Sequence, residues 1–166
     1  EQRVHRFAHQ FARVRLLPRD DVEHFRQFLV ARDLRASELQ PIHDAVARAA
    51  ACEMHAGFPE LRSKCPMDIR GRERPPEMTD KLAADIDRIQ AIWRDCRQAF
   101  GAGGDFLFGG FSIADAFYAP VVTRFRTYDV TLDEVCEAYC AAVTGHAWMK
   151  DWAAAAAEEP WVIDFG

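Results

Sequence analysis

Apolar residues recur at helical spacing from Pro41 onward, and no segment alternates between apolar and polar residues as a half-buried strand does. The first stripe predicts a helix over about residues 44–63, which ends before Pro66 because proline disfavours helical dihedrals in the residue before it. The pattern as a whole predicts an all-α fold. The first stripe consists of Val46, Ala50, Met54, Phe58 and Leu61.

A second stripe predicts the most regular helix of the chain. Its apolar positions alternate between spacings of four and three residues, which is typical of one helix face packed on a core, and Gly101 follows at a C-cap position. The segment 65–77, "CPMDIRGRERPPE", precedes it and holds three prolines, which predicts a loop. The second stripe consists of Leu82, Ile86, Ile89, Trp93, Cys96 and Phe100.

The segment "FLFGGFSIADAFYAP" combines a helix start with a proline inside the helix. Ser112 and Asp115 have the spacing of a capping box, in which each side chain satisfies a backbone N–H of the other residue. We expect the following helix to be central, since its side chains are apolar almost all round, and Pro120 removes one of its hydrogen bonds and should bend it. Internal capping therefore compensates for a weakened interior. No histidine lies nearby in sequence, so a capping role is favoured over a catalytic one.

Two further helices, Leu132 to Val143 and Trp148 to Ala156, complete a predicted bundle of about five. Residues 1–40 differ in character, with eight arginines, no lysine and six acidic residues. We interpret them as an Arg-rich N-terminal extension, helical or disordered, and residues 41–166 as the helical domain. An amphipathic arginine-rich helix also occurs at membrane surfaces, but packing on the domain gives the same pattern.

Composition excludes several classes of function. The net charge of -5 over 166 residues gives no general reason to expect binding to nucleic acid. No apolar run approaches the roughly 20 residues that cross a bilayer, and the start lacks the features of a secretory leader, so we expect no membrane association and a cytoplasmic location. The five cysteines fit neither a disulfide framework nor paired metal ligands.

Metal binding is not predicted either. Cys136 and Cys140 lie one helical turn apart, but cysteine is commonly buried and a metal site needs further ligands. His5 and His9 share the same spacing without a third ligand. We assign Asp80, Asp85, Asp87 and Asp95 to a solvated helix face with no functional role.

The stretches "EMHAGFPELRSKCPMDIR" and "DIDRIQAIWRDCRQAFGAGGDFLFGGFSIADAFYAPVVTRFRTY" resemble the C-terminal, all-helical domain of bacterial glutathione transferases. The resemblance covers about residues 41–165, and several motifs agree in their order. In that family the box at Ser112 and Asp115 is a folding element. The family also has an N-terminal thioredoxin-like domain that binds glutathione, and residues 1–40 match none of its motifs.

The resemblance implies a function with glutathione as co-substrate and a hydrophobic small-molecule electrophile as partner, and it makes a homodimer possible. We expect no catalytic residue in this chain and, without the thioredoxin-like domain, no conjugation. The alternatives are a non-catalytic helical module that binds a hydrophobic ligand or a protein partner, and a truncated remnant. The resemblance places the electrophile pocket at Met54, Phe58, Arg62, Phe117, Pro120, Val121 and Arg124.

Each of these pocket residues has a structural explanation as well. Core packing is favoured for Met54, Phe58 and Phe117. An arginine within an apolar stripe needs a carboxylate or a ligand, and for Arg62 and Arg124 we expect an internal salt bridge.

Overall fold

The computed structural model describes residues 36–72 and 75–160, with side chains from residue 40 onward. Within these residues the chain forms six α-helices and no strand, apart from isolated bridges that pair Phe106 with Gly109 and Phe108 with Gly110. The predicted all-α fold is confirmed. The helices are α1 Ala36–Ala56, α2 Pro59–Lys64, α3 Asp80–Phe100, α4 Ile113–Thr127, α5 Glu134–Gly145 and α6 Ala147–Glu158.

The first predicted helix, residues 44–63, is two helices in the structure. Phe58 lies between them in the left-handed region, at φ 60° and ψ 51°, and Pro59 begins α2. Proline disfavours helical dihedrals in the residue before it, so Pro59 ends α1 within the apolar stripe. The stripe nevertheless stays buried across the break, because Met54, Phe58 and Leu61 all belong to one core.

Helix α1 begins at Ala36, five residues before the start that we predict for the helical domain. Residues 1–35 lie outside the described part of the chain, and so do His5 and His9. The division into an extension and a domain therefore stays a prediction.

The helix predicted from the second stripe is confirmed as α3, with Gly101 as its C-cap. Thr79 begins it as N-cap, and its hydroxyl accepts from the Leu82 N–H at 3.2 Å. Trp93 is fully buried, with ring centroids at 5.7 Å from Tyr118 on α4 and 4.8 Å from Tyr139 on α5. An aromatic cluster within the core therefore joins α3, α4 and α5. The predicted loop 65–77 is confirmed for its described residues, and the loop continues to residue 79.

The capping box at the start of α4 is present. The Asp115 carboxylate accepts from the Ser112 N–H at 2.8 Å and from the Ser112 hydroxyl at 2.7 Å. Its other oxygen accepts from the Leu107 N–H at 3.1 Å and from the Tyr139 hydroxyl at 3.2 Å. Asp115 is fully buried, so one carboxylate joins the preceding loop, α4 and α5, which is more than a helix cap does.

Helix α4 continues through Pro120 from Ile113 to Thr127. The missing proline N–H leaves the Ala116 carbonyl, one turn earlier, without its helical donor, and Ala116 is an exposed residue. The weakened turn thus lies at the exposed side of α4. One apolar residue departs from the expectation of a helix buried almost all round: Ile113, the first residue of α4, is 64% exposed.

The last two helices match their predicted positions to within two residues. Asp133 caps α5 by accepting from the Cys136 N–H at 2.9 Å, and it also pairs with Arg94 of α3. His146 separates α5 from α6 and caps α6 through a 3.3 Å bond from the Trp148 N–H. No helix in the described part of the chain is long and apolar enough to span a bilayer.

Candidate functional site

The break between α1 and α2 forms a corner that faces α4. Phe58 turns its side chain into the core there, beside Met54, and both residues are buried. Helix α4 packs along α1, and the Tyr118 hydroxyl donates to the Ala50 carbonyl at 3.2 Å. We term residues 54–65 the α1–α2 corner. The seven predicted pocket residues lie either in this corner or on α4 between Phe117 and Arg124.

Arg62 holds the corner together from its outer side. Its Nη2 donates to the Met54 carbonyl at 2.6 Å and to the His55 carbonyl at 2.9 Å, and its Nε donates to the Gly57 carbonyl at 3.1 Å. These carbonyls lie at the C-terminal end of α1, where backbone acceptors lack helical partners and a positive charge is favoured by the helix dipole. Arg62 therefore caps α1 from the neighbouring helix.

Asp85 performs the corresponding task at the start of α2. Phe58 offers no capping side chain, and the Asp85 carboxylate of α3 instead accepts from the N–H groups of Glu60 and Leu61 at 3.0 and 3.1 Å. The assignment of Asp85 to a solvated face with no role is wrong. The sequence carried a signal, since Asp85 lies between Leu82 and Ile89 on the apolar stripe, where an acid needs a partner.

Helix α4 supplies the opposite side of the corner. Val121 is buried, whereas Phe117 and Pro120 are only partly buried. The ring of Phe117 lies 6.3 Å from that of the exposed His55, edge to face. An apolar surface therefore continues from the core towards solvent between α1 and α4.

Arg124 lies at the end of this surface. Its Nε donates to the Cys65 carbonyl, just after α2, at 2.9 Å, and its Nη1 donates to the Pro120 carbonyl at 3.2 Å. Burial lowers the pKa of Arg124 from its ordinary value, and the positive charge of Arg62 lowers it further.

The internal salt bridge expected for both arginines is not found among the residues that the structure describes. Within the part of the chain that the structure describes, no carboxylate lies within 4.0 Å of either guanidinium, and the contacts are to backbone carbonyls. Acidic residues nearby are engaged elsewhere, since Glu53 forms a two-bond ion pair with Arg88 at 2.7 and 3.0 Å. Neither arginine is therefore paired with an acidic side chain among the described residues.

The seven predicted pocket residues fall into two groups. Met54, Phe58 and Val121 are buried in the core, as core packing predicts for the first two. The other four reach the surface to different extents, and they are Arg62, Phe117, Pro120 and Arg124. Their role in binding a substrate stays a prediction.

The cysteines lie apart from this site. Cys136 and Cys140 are buried on α5, and burial raises the pKa of the Cys140 thiol to about 12. Such thiols stay protonated and inert at neutral pH. Among the described residues, no group of three or more histidine, cysteine, aspartate or glutamate side chains is placed to hold a metal ion.

Comparison with known proteins adds one match. Residues 76–157 match the family model described as glutathione S-transferase, C-terminal domain. The match runs from the end of the loop through α3, α4 and α5 and into the last turn of α6, and it includes Ser112, Asp115 and Arg124. No curated protein and no solved structure matches the chain.

Proposed function

Because the chain carries a glutathione S-transferase C-terminal domain over residues 76–157, we propose that the helical bundle supplies the hydrophobic electrophile pocket of a glutathione S-transferase. The pocket lies between the α1–α2 corner and α4. The observation that supports it is the continuous apolar surface there: Met54, Phe58 and Val121 form its buried base, and Phe117 and Pro120 carry it to solvent.

The reaction of such a pocket is attack by the glutathione thiolate on an apolar electrophile. The pocket holds and desolvates the electrophile, while a donor elsewhere must lower the pKa of the thiol. The hydroxyl groups of Tyr118, Tyr128 and Tyr139 each donate to a carbonyl or carboxylate of the fold. Ser112 donates to Asp115 in the same way. We therefore expect these 166 residues to bind the electrophile without activating glutathione.

Binding and catalysis are tested separately with the purified chain. For binding, a chloronitrobenzene-type ligand is titrated against wild type, Phe117→Ala and Val135→Ala, the last as an exposed apolar control on α5. Loss of half-buried aromatic contact should weaken binding about five- to tenfold in Phe117→Ala and leave Val135→Ala unchanged. Equal affinity in all three proteins would contradict the location of the pocket.

For catalysis, the same ligand is incubated with glutathione and conjugation is followed by absorbance. We expect no rate above that of the uncatalysed reaction. Measurable turnover, or a dissociation constant for glutathione in a usual working range of about 1 µM to 1 mM, would show that this chain builds a glutathione site of its own.

The alternative is a non-catalytic helical module that binds a hydrophobic ligand or a protein, and one observation favours it. Trp148 and Trp152 of α6 are 67% and 42% exposed. The Trp148 ring contacts His146 and Phe111 at centroid distances of 4.9 and 5.5 Å. Exposed aromatic groups of this kind are enriched at protein interfaces. A homodimer is one form of this alternative, and sedimentation of wild type and Trp148→Ser over a range of concentrations tests it.

A further inference from the structure

Helix α6 carries an apolar surface that the described bundle leaves uncovered. None of its residues is buried, although it holds Trp148, Trp152 and a run of five alanines, and Trp148 is 67% exposed. The surface continues beyond α6 through contacting rings, with centroid distances of 4.3 Å from Phe111 to His146 and 4.9 Å from His146 to Trp148. Phe106 joins them at 5.2 Å from Phe111. We term these four residues the Trp148 cluster: Phe106, Phe111, His146 and Trp148.

The Trp148 cluster lies at the end of the bundle where α1 begins. Phe108, two residues after Phe106 of the cluster, contacts His43 at a ring-centroid distance of 4.9 Å. His43 follows Ala36, the first residue of α1, by seven positions, which a helix covers in about 10 Å. The chain therefore enters α1 at the same end of the bundle as the cluster.

Helices α5 and α6, which lead to and from the cluster, carry an acidic charge. Residues 134–159 have five acidic side chains and one lysine, a net charge of -4 with His146 neutral, and all six charged side chains are exposed. Uncovered aromatic rings beside acidic charge favour a partner that is both apolar and basic. A symmetric dimer through this face is disfavoured, because it would bring two acidic surfaces together. The charged residues are Glu134, Glu137, Lys150, Asp151, Glu158 and Glu159.

Residues 1–17 of the same chain have the opposite charge and a suitable apolar pattern. The segment "EQRVHRFAHQFARVRLL" has four arginines and one acid, a net charge of +3, whereas residues 18–35 have four arginines and four acids. The basic charge of the N-terminal region thus belongs to its first 17 residues. Their apolar positions recur at helical spacing, which predicts one apolar face with two phenylalanines. These positions are Val4, Phe7, Ala8, Phe11 and Val14.

The length of chain between the segment and α1 permits the two surfaces to meet. An extended chain covers about 3.3 Å per residue, so residues 18–35 can reach about 60 Å. The longest described helices have 21 residues and are about 30 Å long. Two sites joined by a linker of this kind have an effective concentration of about 1 mM. A contact with a dissociation constant below about 1 mM is therefore formed in most molecules.

We propose that residues 1–17 dock on the Trp148 cluster of their own chain. Phe7 and Phe11 cover the exposed ring of Trp148, and the arginines of the segment face the acids of α5 and α6. The contact occupies the surface that a non-catalytic module would offer to a protein partner. It is independent of the proposed electrophile pocket, which lies at the other end of α1.

Limited trypsin digestion of the complete 166-residue chain tests the contact. Cleavage after Arg13 and Arg15 is followed by mass spectrometry in wild type, in Trp148→Ser and in the double variant Phe7→Ser, Phe11→Ser. We expect cleavage about tenfold faster in both variants, because cleavage of a docked segment follows the population of its open form. High salt should accelerate cleavage of wild type and leave the variants unchanged, since it screens arginines from acids.

Met78→Ser is the matched control for Trp148→Ser. Met78 is 56% exposed in the loop before α3, and the length of α3, about 30 Å, separates it from Phe100 at the cluster end of the bundle. Loss of an exposed apolar side chain there should leave cleavage at the wild-type rate. Equal rates in wild type and Trp148→Ser would overturn the proposed location.

Two other results would overturn the proposal as a whole. Wild type cleaved as fast as a synthetic peptide of residues 1–17 would show that the segment does not dock. Protection that grows with protein concentration, at fixed trypsin concentration, would show that a second copy holds the segment instead of its own chain. Either result leaves the electrophile pocket in place, because the chloronitrobenzene titration reports on residues at the far end of α1.

Discussion

Replacing Asp115 by alanine should destabilise the protein far more than the loss of a helix cap. Four donors lose their acceptor in Asp115→Ala. The Leu107 N–H and the Tyr139 hydroxyl belong to fully buried residues, and each buried donor without a partner costs about 1 to 3 kcal/mol. Ser112 is half-buried, and the loss of its cap adds about 1 kcal/mol. We expect a total loss of about 4 kcal/mol in the free energy of unfolding.

Two milder variants divide this loss between the cap and the buried network. Ser112→Ala removes the cap and leaves Asp115 bonded to Leu107 and Tyr139, so it should cost about 1 kcal/mol. Tyr139→Phe removes one donor and leaves no group unpaired, so it should also cost about 1 kcal/mol. Asp115→Asn keeps one carbonyl oxygen and should fall between Ser112→Ala and Asp115→Ala. It also replaces Asp115→Ala if that protein does not fold.

The assay is urea unfolding followed by tryptophan fluorescence. Trp93 is fully buried in ring contact with Tyr139, so its emission reports on the core next to the carboxylate. A double-mutant cycle between Asp115→Ala and Tyr139→Phe should give a coupling of about 1 kcal/mol, because the phenylalanine removes a hydroxyl that the alanine leaves unpaired.

One result would refute the reasoning. If Asp115→Ala costs no more than Ser112→Ala, the carboxylate acts only as a cap and the bonds to Leu107 and Tyr139 contribute nothing. Additive losses in the cycle would lead to the same conclusion.

Three further predictions concern other parts of the fold. Asp85→Ala should cost about 1 to 2 kcal/mol, since it leaves the first N–H groups of α2 uncapped, while Asp87→Ala on the exposed side of α3 should change stability by less than about 0.5 kcal/mol in the same urea assay. Ellman's reagent should modify one thiol of the native protein, the exposed Cys52, and all five in urea; rapid reaction of a second native thiol would contradict the buried core. Burial raises the pKa of Cys140 to about 12, so the folded thiol keeps its proton where the unfolded thiol, with a pKa near 9, loses it. Stability from this group is therefore complete below about pH 9 and falls by about 1.4 kcal/mol per pH unit from there towards pH 12. Cys140→Ala should make the fall in stability between pH 9 and pH 12 less steep. The same fall in wild type and variant would contradict a raised pKa for Cys140.

Periodic patterns in the sequence were sufficient to predict most helices. The stripe from Leu82 to Phe100 gave α3 and its buried face, because a helix packed on one side needs apolar residues every three or four positions. The spacing of Ser112 and Asp115 gave the start of α4 for an equally local reason, since a capping box involves residues three positions apart.

The break at Phe58 shows where local patterns are insufficient. The apolar stripe runs through Phe58 without interruption, yet the helix breaks before Pro59 and Phe58 adopts a left-handed backbone, with its side chain still buried in the core. The pattern records which residues are buried, but it does not record whether one helix or two carry them. For the same reason the sequence predicted about five helices where the described residues form six.

The partners of charged groups were decided only by the tertiary structure. Asp85 caps a helix 24 residues earlier, Asp115 binds Tyr139 of another helix, and Arg124 binds the carbonyl of Cys65, which lies 59 residues away. The sequence showed that an arginine or acid within an apolar stripe needs a partner, because burial of an unpaired charge is costly. It did not show which partner, since hydrogen bonds between distant residues depend on how the helices pack. Helix positions followed from local spacing. The backbone acceptors of Arg62 and Arg124 at the α1–α2 corner depend instead on how α1, α2 and α4 pack against one another.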